Sequence, residues 1–364
     1  MKTGKSLTDL ATELERRAGA KKDYVVSTDR IQAVGQPRGR RSEGFGLEFG
    51  DVSVGVNDIA HSQIAEHTKI PKAYYDRCLA EAPGLLANNI NTWFERYPAK
   101  RLVRTLDGTA RAFPSDKFRP LENEDLFEAV YPTLKELGVI ILSAEVTERR
   151  LYIKAVDQNI TRDIPVGKKL GEGHDRFDTL SPAIVISNSE VGLGPVTVSR
   201  SIYTGGCTNL AIAERSIKKL HVGGRHEIGN EEVYAMLSDQ SRRLDDAALW
   251  SKVRDVVKAS FEQAQFEALV DQKVLGLTQQ PIVGDVVEVV NLSAKRFGLN
   301  EAEKGSVLRH LIEGADLTRY GLFNALTRTA EDLDSYDRAT DLERLGGEII
   351  ELGDAEWKVL AEAA

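Results

Sequence analysis

Apolar residues recur along this chain with two periods, and the switches between them sketch its elements. Near the start, Leu7, Leu10, Ala11 and Leu14 fall on one face of a helix opened by Ser6 and Asp9 at capping-box spacing. Tyr24–Val34 and Phe45–Val56 read as strands on either side of the loop 35–44, which carries Arg38, Arg40 and Arg41. Asn57–Pro83 returns to a helical period, and Leu102–Leu106 with Thr109–Phe113 form a hairpin over Asp107-Gly108. A helix over Asn123–Leu137 precedes strands Val139–Val146 and Arg149–Val156, and Gln158–Leu180 is a long polar connection. Ala183–Val191 and Pro195–Thr204 make a second hairpin through Gly192-Leu193-Gly194, after which Cys207-Thr208-Asn209 is expected to open a helix. From Glu231 the helical period dominates, over Glu231–Phe266, Val283–Phe297, Glu301–Glu313, Tyr320–Tyr336 and Ala339–Leu352. The pattern predicts an α+β fold: an antiparallel β-meander of at least four strands covered by helices, with a mostly helical C-terminal region. Three regions are expected, 1–120, 121–230 and 231–364.

Composition changes this picture little. With 364 residues, 29% charged and 41% hydrophobic, the chain can bury a sizeable core. Two cysteines, Cys78 and Cys207, make no disulfide framework and fit a reducing compartment. No apolar run approaches a membrane span, and MKTGKSLTDL lacks a signal-peptide core, so the expectation is a cytoplasmic protein with no membrane partner. Charge matters more. The net charge is −8, yet 329–364 alone holds eleven acids and three basic residues, so 1–328 balances at zero. An acidic total therefore leaves room for a local basic surface. The acidic end itself reads as a solvated helical face, a partner-binding face or a mask over a basic groove.

That basic surface is sought between Trp93 and Arg119. Seven cations (Arg96, Lys100, Arg101, Arg104, Arg111, Lys117 and Arg119) stand there against three acids, with Trp93, Phe94, Tyr97, Phe113 and Phe118 interleaved. Such a mixture suits single-stranded nucleic acid, where cations follow the backbone and Trp93 and Tyr97 stack on bases. It equally suits a core of aromatics with a rim of charge, and alternation along the hairpin divides the cations between two faces. Lys168 and Lys169 in the long connection are further phosphate contacts if that loop closes on a ligand. Gly205 and Gly206, followed by Thr208 and Asn209 at a helix start, offer backbone N–H groups to an anion or simply make a tight turn. Ala65, Lys69 and Ile70 before Pro71 have the cadence of a helix-turn-helix, but Lys69 sits where glycine is usual and Tyr74 and Tyr75 are bulky, so a plain helical hairpin is the expectation ahead of a duplex reader.

Catalytic signals are weak. Cys207 with His221 and His226 lacks any nucleophile or metal spacing, and Asp332, Asp334 and Asp337 lie among other acids. No catalytic residue, metal or cofactor is assigned.

Four segments carry a resemblance: 112–121 (AFPSDKFRPL), 188–192 (NSEVG), 207–210 (CTNL) and 319–327 (RYGLFNALT). In this order the chain resembles, over about residues 85–345, the phage- and plasmid-associated family known as domain of unknown function 932. Pro114-Ser-Asp-Lys-Phe-Arg119 stands where that family commonly has Leu-Ser-Asp-Arg-Tyr-Arg, and a histidine-rich ending is absent. The resemblance implies a mobile element in a bacterial host and brings no established activity. The expected function is a non-enzymatic nucleic-acid binder of single-strand-binding or annealing type, self-associating or joined to phage or host replication proteins. Its rivals are a protein-interaction factor acting through the acidic helices and a nucleic-acid-processing enzyme.

Overall fold

The computed structural model describes residues 1–35, 44–166, 176–205, 209–219 and 239–363. Helix α1 (Leu7–Ala20) starts where Ser6 Oγ accepts the Asp9 N–H, as the capping spacing predicts. Six strands then build the first sheet: β1 (Lys22–Ser27), β2 (Gln32–Val34), β3 (Gly46–Phe49), β4 (Val52–Val56), β5 (Lys100–Leu106) and β6 (Thr109–Ala112). Their order is β1-β5-β6-β4-β3-β2, antiparallel except for the β4–β6 pair. That pair runs parallel because three helices separate β4 from the β5–β6 hairpin: α2 (Asp58–Thr68), α3 (Lys72–Glu81) and α4 (Pro83–Arg96).

Both expected long strands at the start are broken in two. Residues 28–30 form a 3-10 turn, and β3 reverses into β4 at Gly50, whose φ of 55° needs no Cβ. The Asp107-Gly108 hairpin is as expected, with both residues at positive φ (51° and 76°), the requirement of a type I′ turn. The three helices close one core with this sheet, around Leu47, Ile64, Tyr75, Leu86, Phe94 and Phe113.

The expected antiparallel meander is present as the second of two sheets. It contains β7 (Ile140–Val146), β8 (Leu151–Val156), β9 (Arg162–Val166), β10 (Arg176–Asn188), β11 (Val196–Thr204) and β12 (Asn209–Lys219). The order is β12-β11-β10-β8-β7, with β9 alongside the first half of β10, and every pair is antiparallel. Thus part of the polar connection 158–180 is strand, with Ile164, Val166 and Leu180 buried.

The helix expected at Asn209 is also a strand. β12 pairs with β11 from Asn209↔Thr204 to Lys219↔Val196 and forms an edge of the sheet, its backbone held along the side that faces β11.

Helices lie on both faces of this sheet. Leu10 of α1, Leu126 and Val130 of α5 (Asn123–Leu137), and Val253 and Val257 of α6 (Asp239–Ser260) pack on Ile153, Ile184 and Val198. Alternation turns Lys154 the other way, towards the C-terminal helices α7 (Gln263–Lys273), α8 (Val286–Phe297), α9 (Glu301–Gly314), α10 (Arg319–Thr329), α11 (Tyr336–Glu351) and α12 (Asp354–Ala361). The helix expected over Tyr320–Tyr336 ends at Thr329, and Ser335 restarts the chain by accepting the Arg338 N–H. Arg319, almost wholly buried, donates to the carbonyls of Ile349, Ile350 and Leu352 and so closes the C-terminal end of α11.

Candidate nucleic-acid interface

The cations singled out along 93–119 do not converge. Arg104 is 1% exposed; its Nε donates to Asp23 at 3.0 Å, its Nη1 to the Glu190 carbonyl at 2.7 Å, and its Nη2 to Glu122. Arg111 is equally buried and pairs with Glu190 at 2.8 Å. Lys21 completes the group, 2.7 Å from Glu122 and 3.1 Å from Glu190. Burial opposes ionisation of Glu190. Arg111, Lys21 and the Asn123 N–H outweigh it and hold the carboxyl well below the usual range.

These charges sit where the first sheet meets the end of β10, so they join the two sheets rather than face a ligand. Arg119 pairs with Asp245 and Asp246 of α6. Arg101 is half-buried, its guanidinium 5.1 Å from the Phe113 ring and its Nη2 donating to the Phe113 carbonyl at 2.7 Å. The expectation that these four contact phosphate is therefore corrected: carboxylates, a carbonyl and an aromatic ring already hold them. Arg96, Lys100 and Lys117 are exposed.

Lys168 and Lys169 lie outside the described residues, as do Gly206, Thr208, Cys207, His221 and His226. Gly205 donates its N–H to the Thr179 carbonyl at 2.9 Å, and Asn209 begins a strand. The helix start proposed to hold an anion is thus not formed.

The aromatic half of the expectation fares differently. Helix α2 is capped by Asn57, whose side chain accepts the Ala60 N–H, and it ends at Lys69 in the left-handed conformation (φ 56°). Ile70 N–H then reaches back to the Ala65 carbonyl, and Pro71 leads into α3. Pro83 opens α4, whose inner face buries Leu86, Ala87, Ile90 and Phe94. Its outer face, at helical spacing, carries Asn89, Trp93, Arg96 and Tyr97. The Trp93 and Tyr97 rings lie nearly parallel, 12° apart with centroids at 5.9 Å, and both are exposed.

Facing this row across a cleft of about 830 Å³ are the 67–71 turn and Tyr74, itself 45% exposed. That volume lies within the usual range for a small-molecule or cofactor site. His67 lines the cleft with its ring about 6 Å from those of Phe94 and Phe113. Burial, reinforced by the nearby Arg101 charge, takes its pKa down to about 4, so its imidazole is neutral at pH 7.

Sequence reading named Trp93 and Tyr97 but missed Tyr74, His67, Asn89 and Lys69 as their neighbours. The turn between α2 and α3 is the signal that could have joined them.

A duplex-reading helix-turn-helix finds less support here. Ala65 is buried as that motif requires, and Lys69 takes the left-handed role usually given to glycine. The outward charges of α3, however, close on one another as Lys72–Asp76 and Arg77–Glu81. Elsewhere, Lys154 and Glu343 form a fully buried pair at 2.7 Å. Asp332 is taken by Ser306, Arg309 and His310, and Asp337 accepts from Tyr152 at 2.8 Å. Among the described residues no His, Cys, Asp and Glu cluster could hold a metal, and no helix is long and apolar enough to cross a membrane. Compared with family models, curated proteins and solved structures, the chain matches none.

Proposed function

We propose that the chain binds unpaired nucleic acid in the α2–α4 cleft, by stacking bases on Trp93, Tyr97 and Tyr74 while a few cations at the rim meet the phosphates. The observation that carries this reading is the parallel, exposed Trp93–Tyr97 pair on the wall of a cleft large enough for a nucleotide. Lys69, on the cleft wall, and Arg96 and Lys100, one and three positions from Tyr97 in sequence, are exposed. The described structure gives these three side chains no acidic partner, which leaves them available to a phosphate chain. A bacterial mobile element, as in the family the sequence resembles, is the setting we favour, with single-strand binding or annealing as the role.

Fluorescence anisotropy of a labelled single-stranded 40-mer across a salt series tests it. Removing a stacking plate costs about 1–3 kcal/mol per base, so Trp93→Ala should weaken binding roughly tenfold. Unaltered affinity in Trp93→Ala and Tyr97→Ala, or no binding at low salt, would overturn the proposal.

A further inference from the structure

Trp93 and Tyr97 stand one helical turn apart at the end of α4, with ring centroids 5.9 Å apart and planes 12° from parallel. Their spacing follows the helix pitch of about 5.4 Å and not the step of about 3.4 Å between bases stacked in a strand. A base inserted between two rings needs them about 7 Å apart, so the slot between Trp93 and Tyr97 is too narrow to take one. Only the outer faces of the pair are left for bases, and both rings are exposed, Tyr97 to 65%.

Bases resting on those two faces stand about 10–13 Å apart, two contact gaps plus the thickness of the pair. A stacked strand covers that interval in about three steps, so it cannot straddle the pair without lifting bases out of its stack. Tyr74, on the opposite wall of the cleft, offers a face to a base so displaced. Lys69 belongs to that wall and Arg96 to α4, so cations stand on both sides of the opening for the phosphates.

Resting on the single-strand reading above, we propose that the Trp93–Tyr97 pair is a wedge. The chain opens the stack of the strand it binds, and so acts on stacked or weakly paired segments and not only on strands already unstacked. The two rings enter as one block, in the way that apolar side chains part base steps elsewhere. A single plate would only extend a stack from its end, so the wedge requires both.

Circular dichroism of a deoxyadenosine decamer near 260 nm, which reports base–base stacking, tests this on the full chain, with anisotropy of the labelled strand to establish saturation. Straddling the pair interrupts about three of the nine steps, so the native chain should remove about a third of the signal. Trp93→Leu and Tyr97→Leu should bind roughly tenfold more weakly and, once saturated, leave the signal within about a tenth of that of the free strand. The two variants are independent, so poor folding of one leaves the other to decide. Native binding with an unchanged signal, or the native loss of signal in both saturated variants, would overturn the wedge and leave the single-strand reading standing. Absence of binding to the decamer at low salt would overturn that reading itself.

Discussion

Arg104 and Arg96 are eight positions apart and have opposite fates. One is sealed among Asp23, Glu122 and the Glu190 carbonyl; the other projects from the end of α4. Arg104→Ala leaves the partly exposed Asp23 and Glu122 without their counter-ion and the buried Glu190 carbonyl without its donor, and should lower stability by about 1–3 kcal/mol in urea unfolding. Lys100→Ala should change stability by less than about 0.5 kcal/mol and instead weaken oligonucleotide binding, and the reverse pattern would mean the two roles are misassigned. Alternation along β5 and β6 already divided the cations between faces. It could not say that Arg104 meets Asp23, 81 residues away, and the Glu190 carbonyl, 86 residues away, because such pairings depend on how two sheets dock. Tyr75 and Tyr74 show the same limit: adjacent in sequence, one is wholly buried and the other is open to the cleft.

At the scale of elements, turns and helix ends were legible where their chemistry is local. Asp107-Gly108 and the Ser6 cap could be read directly, as could most of the late helices, because a few neighbouring residues decide them. β12 was not, since its strand state comes from β11 beside it. The α2–α3 turn lies between these cases. Lys69 holds a left-handed conformation that costs an ordinary residue about 1 kcal/mol, so Lys69→Gly should raise stability by about 0.5–1 kcal/mol while removing one rim cation. Thermal melting and anisotropy on the same variant would check both halves.

The same helices carry a pH response. Burial takes the pKa of His61 and of His67 down to about 4 from 6.5. The unfolded chain therefore binds more protons than the native one between pH 6.5 and 4, and stability falls as pH drops through that window. The loss is at most about 3 kcal/mol for His61 and smaller for half-exposed His67. Urea midpoints should decline from pH 7 to 4, and His67→Phe should flatten part of that decline; a flat profile in the native chain would contradict the burial of both rings.

For the whole molecule, the acidic total conceals many charges that are matched internally among the described residues. Acids of 329–363 pair with the N-terminal amine, Lys154, Lys273, Arg296 and Arg309, and not with Arg96 or Lys100. Removing 329–364 would leave Lys154 buried without Glu343 and open the core around Ile349, so loss of cooperative melting is expected, not stronger binding of DNA. A shortened chain that melts like the full one would refute this. If, of the described cations, Lys69, Arg96 and Lys100 are the ones that meet the phosphates, the slope of log affinity against log salt should be near −2 and not the steep value of a basic groove.

The charged joint between the sheets has one more consequence. Lys21, Arg104 and Arg111 share Glu122 and Glu190, so no member of that set can drift alone without orphaning another. Related sequences should alter these positions together or not at all, and a fragment cut between the two sheets would carry the aromatic cleft away on a body whose own interior no longer balances.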